Sequence, residues 1–316
     1  MAEKKIIAVV GATGAQGGGL VQAILRDAPG GFAVRAITRN VGSAKARGLA
    51  ERGAQVVAAD LDDEASLTRA LAGAHGAYFV TNFWEHFSPD KEQAQARNLA
   101  AAAKHAGLAH VIWSTLEDTR KWVPLADARM PTLMGRFKVP HFDAKGEADA
   151  YFRDAGVPTT FLLTSFYWDN LIHFGMGPKP TGDGRLAFTL PMADRKLAGI
   201  AAEDIGKCAY GIFRKGAEAI GKTIGSAGEQ LTGTQMASAM SQALCREVVY
   251  NAVTPAQYRG FGFPGAEDLG NMFQFYAEFE EYFCGARSVE VSRALNPELQ
   301  GFADWLGRNG GRIPLA

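Results

Sequence analysis

A glycine-rich segment near the start of the chain has the residue types and the spacing that bind phosphate groups. The apolar run Ile6–Val9 is followed by Val10-Gly11-Ala12-Thr13-Gly14-Ala15-Gln16-Gly17-Gly18 and then by the helix-like segment Leu20–Leu25. Glycines between a strand and a helix allow a tight turn, a close approach of the backbone to a pyrophosphate and close helix–strand packing. Free N–H groups and the helix dipole attract anions to this point. The predicted phosphate-binding residues are Gly11, Thr13, Gly14, Ala15, Gln16 and Gly17.

The end of the second predicted strand indicates which dinucleotide would bind. An NAD site usually has Asp or Glu at this position, where the carboxylate binds the ribose 2′-hydroxyl. Here the strand ends in Thr38-Arg39-Asn40, and Lys45 and Arg47 follow. Cations without an acid suit a 2′-phosphate, so we expect NADP(H) to be held by Arg39, Asn40 and Lys45. The alternative interpretation is a solvated basic turn.

Two further strand ends supply candidate cofactor contacts. Asp60, with Leu61 beside it, follows the third predicted strand and is placed to reach the adenine amino group. Thr81, Asn82 and Phe83 follow the fourth strand and are placed to support the ribose on the nicotinamide side. Both assignments rest on the rule that ligands of open α/β sheets bind beyond the carboxyl ends of the strands.

The spacing of His141 and Lys145 could support proton transfer. The turn spacing Gly-x-x-Gly-x-x-Gly is typical of short-chain dehydrogenases, which use Tyr-x-x-x-Lys to relay a proton and to hold the nicotinamide ribose. None of the eight tyrosines has a lysine four residues later, whereas His141 does. Loss of a positioned acid typically costs about 10²–10⁴-fold in rate, but histidine itself transfers protons near neutral pH. We expect Lys145 to bind the ribose, and His141 is either catalytic or only a helix-start residue.

Strand-like and helix-like segments alternate through the first half of the chain. This rhythm predicts an α/β fold, a Rossmann-type doubly wound parallel sheet, with residues 1–165 as the NADP-binding domain. The predicted strands are Ile6–Val10, Phe32–Thr38, Ala54–Ala58, Gly76–Val80, Ala109–Trp113 and Pro158–Leu163. The first predicted helix ends near Arg26, and the others span Ser43–Arg52, Asp63–Leu71, Lys91–Ala106 and Ala144–Ala155.

The second half predicts a smaller C-terminal α+β lobe, residues 166–316, with some segments returning to the first sheet. Gly175–Gly184 is rich in Gly and Pro and indicates a loop. The aromatic residues between Phe261 and Phe283 are interpreted as core, with a pocket or a partner surface as the alternative. The short strands and helices predicted in this lobe are Leu186–Leu190, Ala202–Phe213, Gly233–Arg246 and Val248–Val253.

Composition limits the function classes. The 316 residues include 33 Lys and Arg and 33 Asp and Glu, a balance that argues against nucleic-acid binding. Cys208, Cys245 and Cys284 are odd in number and far apart, which suits a reducing compartment and matches no metal site. The first apolar run is too short for a signal-peptide core, and no segment approaches a membrane span in length. We expect a cytoplasmic protein, with a nuclear location left open.

Several of these motifs together resemble the NmrA-like proteins, and among them the animal-type NADPH sensors. The resemblance extends over essentially the whole chain. It implies an atypical short-chain dehydrogenase that prefers NADP(H), lacks the catalytic tyrosine, and acts as a redox-responsive regulator whose partner or association state, a homodimer for example, changes with the NADPH level. The motifs are the glycine turn, Thr38-Arg39-Asn40, Thr81-Asn82-Phe83-Trp84-Glu85, His141-Phe142-Asp143-Ala144-Lys145-Gly146-Glu147 and Gly262-Phe263-Pro264-Gly265-Ala266.

The resemblance also implies roles for individual residues. It puts the pyrophosphate on Gly11–Gly17, the 2′-phosphate on Arg39, and the nicotinamide ribose on Lys145. It places Tyr167, Trp168 and Asn170 beside the nicotinamide. The chain departs from the pattern at Gln93-Ala94-Gln95, where such sensors can present a cofactor-facing lysine. Lys145 also matches the catalytic lysine of related reductases, so the alternative function is an NADPH-dependent reductase of a small carbonyl, quinone or enone.

Overall fold

The strands follow the predicted alternation through the first half of the chain. The structure, a computed structural model, describes residues 3–27 and 29–315. Its strands are β1 (Lys5–Val10), β2 (Phe32–Thr38), β3 (Gln55–Ala58), β4 (Gly76–Phe79), β5 (His110–Thr115), β6 (Thr159–Leu163), β7 (Phe166–Tyr167), β8 (Lys179–Pro180), β9 (Leu186–Leu190), β10 (Lys196–Ile200), β11 (Thr223–Gly225), β12 (Glu229–Thr232) and β13 (Val248–Ala252).

The helices are concentrated between these strands and near the end of the chain. None in the described ranges is long and apolar enough to cross a membrane. They are α1 (Ala15–Arg26), α2 (Ala44–Glu51), α3 (Glu64–Leu71), α4 (Pro89–His105), α5 (Pro140–Asp154), α6 (Asn170–His173), α7 (Ala202–Lys215), α8 (Gly233–Leu244), α9 (Pro255–Arg259), α10 (Ala266–Glu278), α11 (Glu280–Gly285), α12 (Val289–Leu295) and α13 (Phe302–Asn309).

Two helices begin earlier than predicted, and in both cases a proline stands at the first helical position. Helix α4 begins at Pro89, where the hydroxyl of Ser88 caps the helix by accepting from the N–H of Lys91. Helix α5 begins at Pro140 rather than at Ala144. Proline suits the first turn because its missing N–H would have no partner inside the helix there. His141 therefore lies within α5, one turn before Lys145.

The chain divides into two compact units, each assembled from segments that are separate in sequence. The first unit contains Met1–Glu117, Ala144–Leu163 and Glu203–Ile224, and the second contains Asp118–Asp143, Thr164–Ala202 and Gly225–Ala316. The change at Leu163–Thr164 is close to the predicted boundary at residue 165. Residues 203–224 belong to the first unit, in line with the expectation that some later segments return to the first sheet, whereas 118–143 belong to the second unit, which the division at residue 165 did not include.

The first unit contains a Rossmann-like seven-stranded sheet, which confirms the predicted fold class. The strand order is β11-β6-β5-β4-β1-β2-β3. Neighbouring strands from β3 to β6 pair in parallel, so their carboxyl ends meet at one edge of the sheet. Parallel strands are covered on both faces by their crossover helices, and all four residues of β4 are accordingly buried. Trp113 on β5 packs against Phe152 on α5, with ring centroids 5.0 Å apart.

The return of residues 203–224 to the first unit depends on close contact between two helices. A Cβ added at Gly206 of α7 would lie 2.2 Å from the backbone nitrogen of Leu20 and 2.4 Å from the carbonyl oxygen of Gln16, both on α1. A Cβ at Gly19 of α1 would lie 2.1 Å from the carbonyl oxygen of Glu203. Only glycine leaves room for the two backbones to approach this closely, so these residues attach α7 to the helix that begins at the glycine turn.

The second unit contains two small sheets and an aromatic core. The sheet orders are β12-β10-β7 and β13-β9-β8. The indole of Trp168 packs against Phe302, with ring centroids 5.3 Å apart, and against Trp305. Arg287 is fully buried, where it donates to the carbonyl oxygen of Thr164 and lies over the ring of Phe283 at 3.8 Å. The hydrogen bond to the carbonyl oxygen and the contact with the aromatic ring stabilise this buried guanidinium in the core.

The aromatic segment of the second unit separates into two parts. The core interpretation is correct for Phe273, Phe275, Tyr276 and Phe283, which are at most 2% exposed. It is wrong for Tyr282, which is 36% exposed, and for Phe261 and Phe263, which are 50% and 38% exposed. The two phenylalanines lie in the turn between α9 and α10, where they line a cavity. The predicted loop Gly175–Gly184 also lines this cavity in part and contains the short strand β8.

Replacing Gly206 by alanine should destabilise the protein. The added methyl group would press against backbone atoms of α1, and overpacking of this kind typically costs about 1–3 kcal/mol. Gly48→Ala is the matched control, because Gly48 lies inside α2 with open space around its Cβ position. It should raise the free energy of unfolding by up to about 1 kcal/mol through helix propensity. Urea unfolding of both variants measures the difference, and equal stabilities would contradict the role of the helix contact.

Candidate functional site

The glycine turn of the first unit has the backbone geometry that the sequence predicts. Gly11 adopts φ +69°, a conformation that favours glycine, and its carbonyl oxygen accepts from the N–H of Gly14 at 2.8 Å. A Cβ at Gly17 would lie 2.4 Å from that same carbonyl oxygen. Gly11 is therefore required for the turn, and Gly17 for the close packing of α1 on it.

The beginning of α1 has an uncompensated positive end. Gly14 occupies the position before the first helical residue and offers no side chain as a cap, and the first turn contains no acidic residue. Beneath the turn, the side-chain oxygen of Gln16 accepts from the hydroxyls of Tyr78 and Ser114, the latter at 2.9 Å. Gln16 thus anchors α1 to β4 and β5, and an anion at the turn would meet backbone donors and the helix dipole.

The residues after β2 form an exposed charged surface. Arg39 makes an ion pair with Glu85, with Nη1 and Oε1 2.5 Å apart, and its side chain is 65% exposed. This hydrogen bond, together with the charge of Glu85, raises the pKa of Arg39. Asn40 caps the following turn by accepting from the N–H of Gly42, and Lys45 is exposed on α2. The predicted 2′-phosphate ligands are therefore accessible, and Glu85 is a neighbouring acid that sequence reasoning did not include.

Lys145 lies at the centre of a buried polar cluster at the end of β4. Its Nζ is 2.6 Å from Oε1 of Glu92 and donates to the hydroxyl of Thr81 at 2.5 Å. It also lies 5.0 Å from the centre of the Trp113 ring, which adds a cation–π contact. Lys145 is 8% exposed and Glu92 is fully buried. The cluster brings together Thr81 and Lys145 as predicted, and adds a carboxylate.

Glu92 is a site residue that sequence reasoning missed. It lies on the stripe of α4 that also carries Ala96, Leu99, Ala100 and Ala103, all buried in the core. An acid at position i of an i, i+4, i+7, i+8, i+11 apolar stripe could have been recognised as buried. Burial would raise its pKa, but the charge of Lys145, the close contact with His86, whose Nε2 is 3.6 Å from Oε2, and hydrogen bonds from Lys145 and Thr81 lower the pKa to about 2. Glu92 is therefore ionised.

The remaining predicted residues of the first unit differ in exposure. Asn82 is exposed at the end of β4, whereas Phe83 is 2% exposed. Asp60 is exposed, and its carboxylate accepts from the N–H of Asp62 at 3.0 Å. Leu61 is half-buried and packs against the core. Because β3 and β4 end at the same edge of the sheet as β1 and β2, these residues lie along the edge that carries the glycine turn.

His141 belongs to the second unit and is held by an acid. Its Nδ1 is 2.6 Å from Oδ1 of Asp268, and its backbone N–H donates to Oδ2 of the same residue. Both residues are 6% exposed. A carboxylate bonded to one ring nitrogen fixes the orientation and tautomer of an imidazole. Sequence reasoning missed Asp268 because it is 127 residues away along the chain.

Tyr167, Trp168 and Asn170 lie in the second unit, at β7 and the start of α6. The hydroxyl of Tyr167 lies 3.3 Å from that of Thr164. Trp168 is 1% exposed within the aromatic core. Its indole is inaccessible to a bound molecule, so only backbone atoms of Trp168 could make the predicted contact with the nicotinamide. Asn170 is half-buried.

The three cysteines form no disulfide bond. Cys208 and Cys284 are buried and Cys245 is exposed, all three as free thiols. Burial raises the pKa of Cys208 to about 12, so this thiol remains protonated. Because the thiolate is the reactive form, Cys208 is unsuited to redox chemistry.

The parallel sheet with a glycine turn at its carboxyl edge defines a Rossmann-like protein of the nucleotide-binding type. Comparison with known proteins gives the family. The NmrA-like family matches residues 3–306, and this chain belongs to that family. The resemblance found in the sequence is thereby confirmed.

Relatives include both enzymes and a regulator. An NAD(P)H azoreductase of Xenophilus azovorans is 31% identical over 277 residues, covering 86% of each chain. An NmrA-like family domain-containing oxidoreductase of Penicillium ochrochloron is 25% identical and covers 96% of this chain and 92% of its own. The crystal structure of NmrA, a negative transcriptional regulator in complex with NADP, is 26% identical with a TM-score of 0.77 and covers 97% and 95% of the two chains. The same regulator has been solved with NAD.

Replacing Lys145 by methionine should destabilise the fold as well as alter the site. The change leaves the buried carboxylate of Glu92 without its cation, and breaking a buried pair in this way typically costs about 3–5 kcal/mol. The double variant Lys145→Met, Glu92→Gln removes both charges and should recover most of this loss. Urea unfolding at neutral pH measures both effects.

The matched control is Lys91→Met on α4, the helix that carries Glu92. Lys91 pairs with Asp62 at 2.9 Å, but both side chains are about half exposed, and loss of such a pair typically costs under about 1 kcal/mol. Equal losses for Lys91→Met and Lys145→Met would contradict the buried-pair assignment.

The stability that Glu92 contributes should depend on pH. Its pKa is lowered from 4.5 to about 2 on folding, so the stabilisation is present above pH 4.5 and is lost as the pH falls toward 2. The free energy of unfolding should therefore fall less steeply in this range for Glu92→Gln than for the natural sequence. If the free energy of unfolding fell equally steeply with pH for Glu92→Gln and the natural sequence, the pKa of Glu92 would not be lowered in the folded protein.

Proposed function

We propose that this chain binds NADP(H) along the carboxyl edge of the sheet in its first unit. The observation that carries the proposal is the glycine turn, in which the uncapped start of α1 supplies backbone donors and a positive dipole for a pyrophosphate. The complex of the 26% identical NmrA with NADP supports the same cofactor class. Gly11, Thr13, Gly14, Ala15, Gln16 and Gly17 would hold the pyrophosphate, and Thr81, Asn82 and Phe83 would lie along the cofactor.

Arg39 favours the phosphorylated dinucleotide. Its guanidinium can bind a phosphate bidentately, and Asn40 and Lys45 follow it in the chain. Glu85 already occupies one face of Arg39. A 2′-phosphate would compete with that carboxylate, so Glu85 reduces the preference that Arg39 creates.

The chain acts chiefly as a sensor of the NADP(H) state, with little turnover. No tyrosine precedes Lys145 by four residues, so the proton donor of the short-chain reductases is missing. Lys145 itself is retained and is fixed by Glu92 and Thr81, which suits a residue that binds a ribose. The cofactor, when bound, would bias the protein between two states to the extent that its affinity for them differs. The regulated readout is association, either with a second copy or with a partner protein.

The second candidate is an NADPH-dependent reductase of a small carbonyl, quinone or enone. The specific observation in its favour is the pair of His141 and Asp268, because a carboxylate-oriented imidazole can donate a proton near neutral pH. The 31% identical azoreductase supports this class of activity. NADPH would supply the hydride, and His141 or Lys145 would supply the proton.

Arg39 should set the cofactor preference. We expect NADP(H) to bind at least about tenfold more tightly than NAD(H), a difference of about 1.4 kcal/mol. Arg39→Ala should lose most of this preference while the affinity for NAD(H) stays almost unchanged. Glu85→Gln, which removes the competing carboxylate, should increase the preference. Isothermal titration calorimetry with both cofactors tests all three proteins, and equal affinities in the natural sequence would refute the assignment.

Turnover and protection separate the sensor from the reductase. Trypsin cleaves after Arg and Lys, so Arg39 reports on the loop that follows β2, and Lys45 and Arg47 report on the start of α2. A sensor should show NADPH-dependent protection and a change in sedimentation, with no NADPH oxidation on a panel of carbonyls, quinones and azo compounds.

Rapid oxidation that is lost in Lys145→Met, Glu92→Gln would establish the reductase instead. This double variant is preferred to a single Lys145 change because it leaves no unpaired buried charge. Asp268→Asn adds a second readout, since a reductase that uses His141 should show a shifted pH profile. If NADPH produced no protection from trypsin and no NADPH oxidation were observed, the proposal that the chain binds the cofactor would itself be refuted.

A further inference from the structure

The second unit contains a cavity that the proposed cofactor site does not use. Its volume is about 650 Å³, within the range of about 300–1,000 Å³ that is usual for small-molecule sites. All its lining residues belong to the second unit. They come from the end of α6 and the loop that follows, from β8, β9 and β13, and from α9 with the turn before α10.

Aromatic side chains form one wall of this cavity. Tyr258 is buried and contacts the rings of Phe261 and Phe263, with centroids 5.2 Å and 5.7 Å away. Gly262, between the two phenylalanines, adopts φ +74°, a conformation that favours glycine. Phe174 lines the cavity from the segment after α6. The wall is therefore held by a buried anchor and a defined turn.

This wall exposes several large apolar side chains to solvent. Phe174, Phe261 and Phe263 are 55%, 50% and 38% exposed. They are three of the nine large hydrophobic side chains that are exposed in the described part of the chain. Clusters of exposed apolar residues mark binding sites more often than isolated ones do. Aromatic walls bind other rings in stacked or edge-to-face arrangements.

The strands contribute polar groups and a positive charge. Thr189 on β9 is directly opposite Asn251 on β13, and the amide of Asn251 donates to the hydroxyl of Thr189 at 3.1 Å. Lys179 on β8 is opposite Ala187, is exposed, and makes no ion pair with any residue that the structure describes. No aspartate or glutamate is among the described residues that line the cavity. The charge of the lining is therefore positive.

We propose that this cavity binds a planar aromatic anion, with its ring against Phe261 and Phe263 and its carboxylate or sulfonate at Lys179. Volume, aromatic wall and charge point to the same ligand class. None of the lining residues is among those proposed to hold NADP(H). The proposal also assigns a role to the Gly262–Ala266 motif, which has no role in the proposed binding of NADP(H).

The test is a titration with three matched probes in the absence of any nicotinamide cofactor. The probes are 2-naphthoate, the neutral 2-naphthamide and the non-aromatic anion cyclohexanecarboxylate, each followed by ligand-observed NMR. We expect 2-naphthoate to bind most tightly, 2-naphthamide about tenfold more weakly because it lacks the charge, and cyclohexanecarboxylate more weakly than 2-naphthoate because it cannot stack. Equal affinities for the three probes, or no binding of 2-naphthoate, would overturn the proposal.

Variants locate the binding. Lys179→Met should weaken 2-naphthoate about tenfold and leave 2-naphthamide almost unchanged. The double change Phe261→Ser, Phe263→Ser should weaken both aromatic probes, and should not unfold the protein because both side chains are exposed. The controls are Lys104→Met and Val291→Ser, exposed positions outside the cavity. Controls that weaken binding as much as the cavity variants would place the probe elsewhere and refute the site. Because no cofactor is present, failure here leaves the NADP(H) proposal untouched.

Discussion

The buried pair of Glu92 and Lys145 is the constraint on which the first unit depends. It joins α4 to α5 and fixes the hydroxyl of Thr81 at the end of β4. Two charges in the interior are tolerated only when they are paired and hydrogen-bonded. The lysine on which a nicotinamide ribose would depend is thus also part of the core packing. Under the proposed function, a change at this residue would therefore alter both cofactor binding and stability.

Electrostatics divide the carboxyl edge of the sheet into two regions. At the start of α1, glycine removes side chains and leaves backbone donors and a dipole without a competing acid. After β2 the cation Arg39 is already matched by Glu85. A polyanionic cofactor would thus meet an open site at its pyrophosphate and an exchangeable ion pair at its ribose phosphate.

The cavity of the second unit is lined by side chains, whereas the glycine turn of the first unit presents backbone groups. A buried aromatic core supports an exposed aromatic wall, and strand register sets the polar groups beside it. His141 and Asp268 lie in the same unit, held together by two hydrogen bonds.

The sequence by itself determined the class of fold, the family and the order of strands and helices in the first half. These follow from local patterns: the alternation of apolar segments, the glycine turn between a strand and a helix, and the motifs that resemble the family. The sequence predicted that some later segments return to the first sheet. Only the tertiary structure decided that 203–224 belong to the first unit and 118–143 to the second, because this depends on contacts such as Gly206 with Leu20 that are distant in sequence. It also decided the partners of Lys145 and His141, and which phenylalanines are exposed. Periodicity indicates that a face is buried, but it does not identify the side chain that lies opposite.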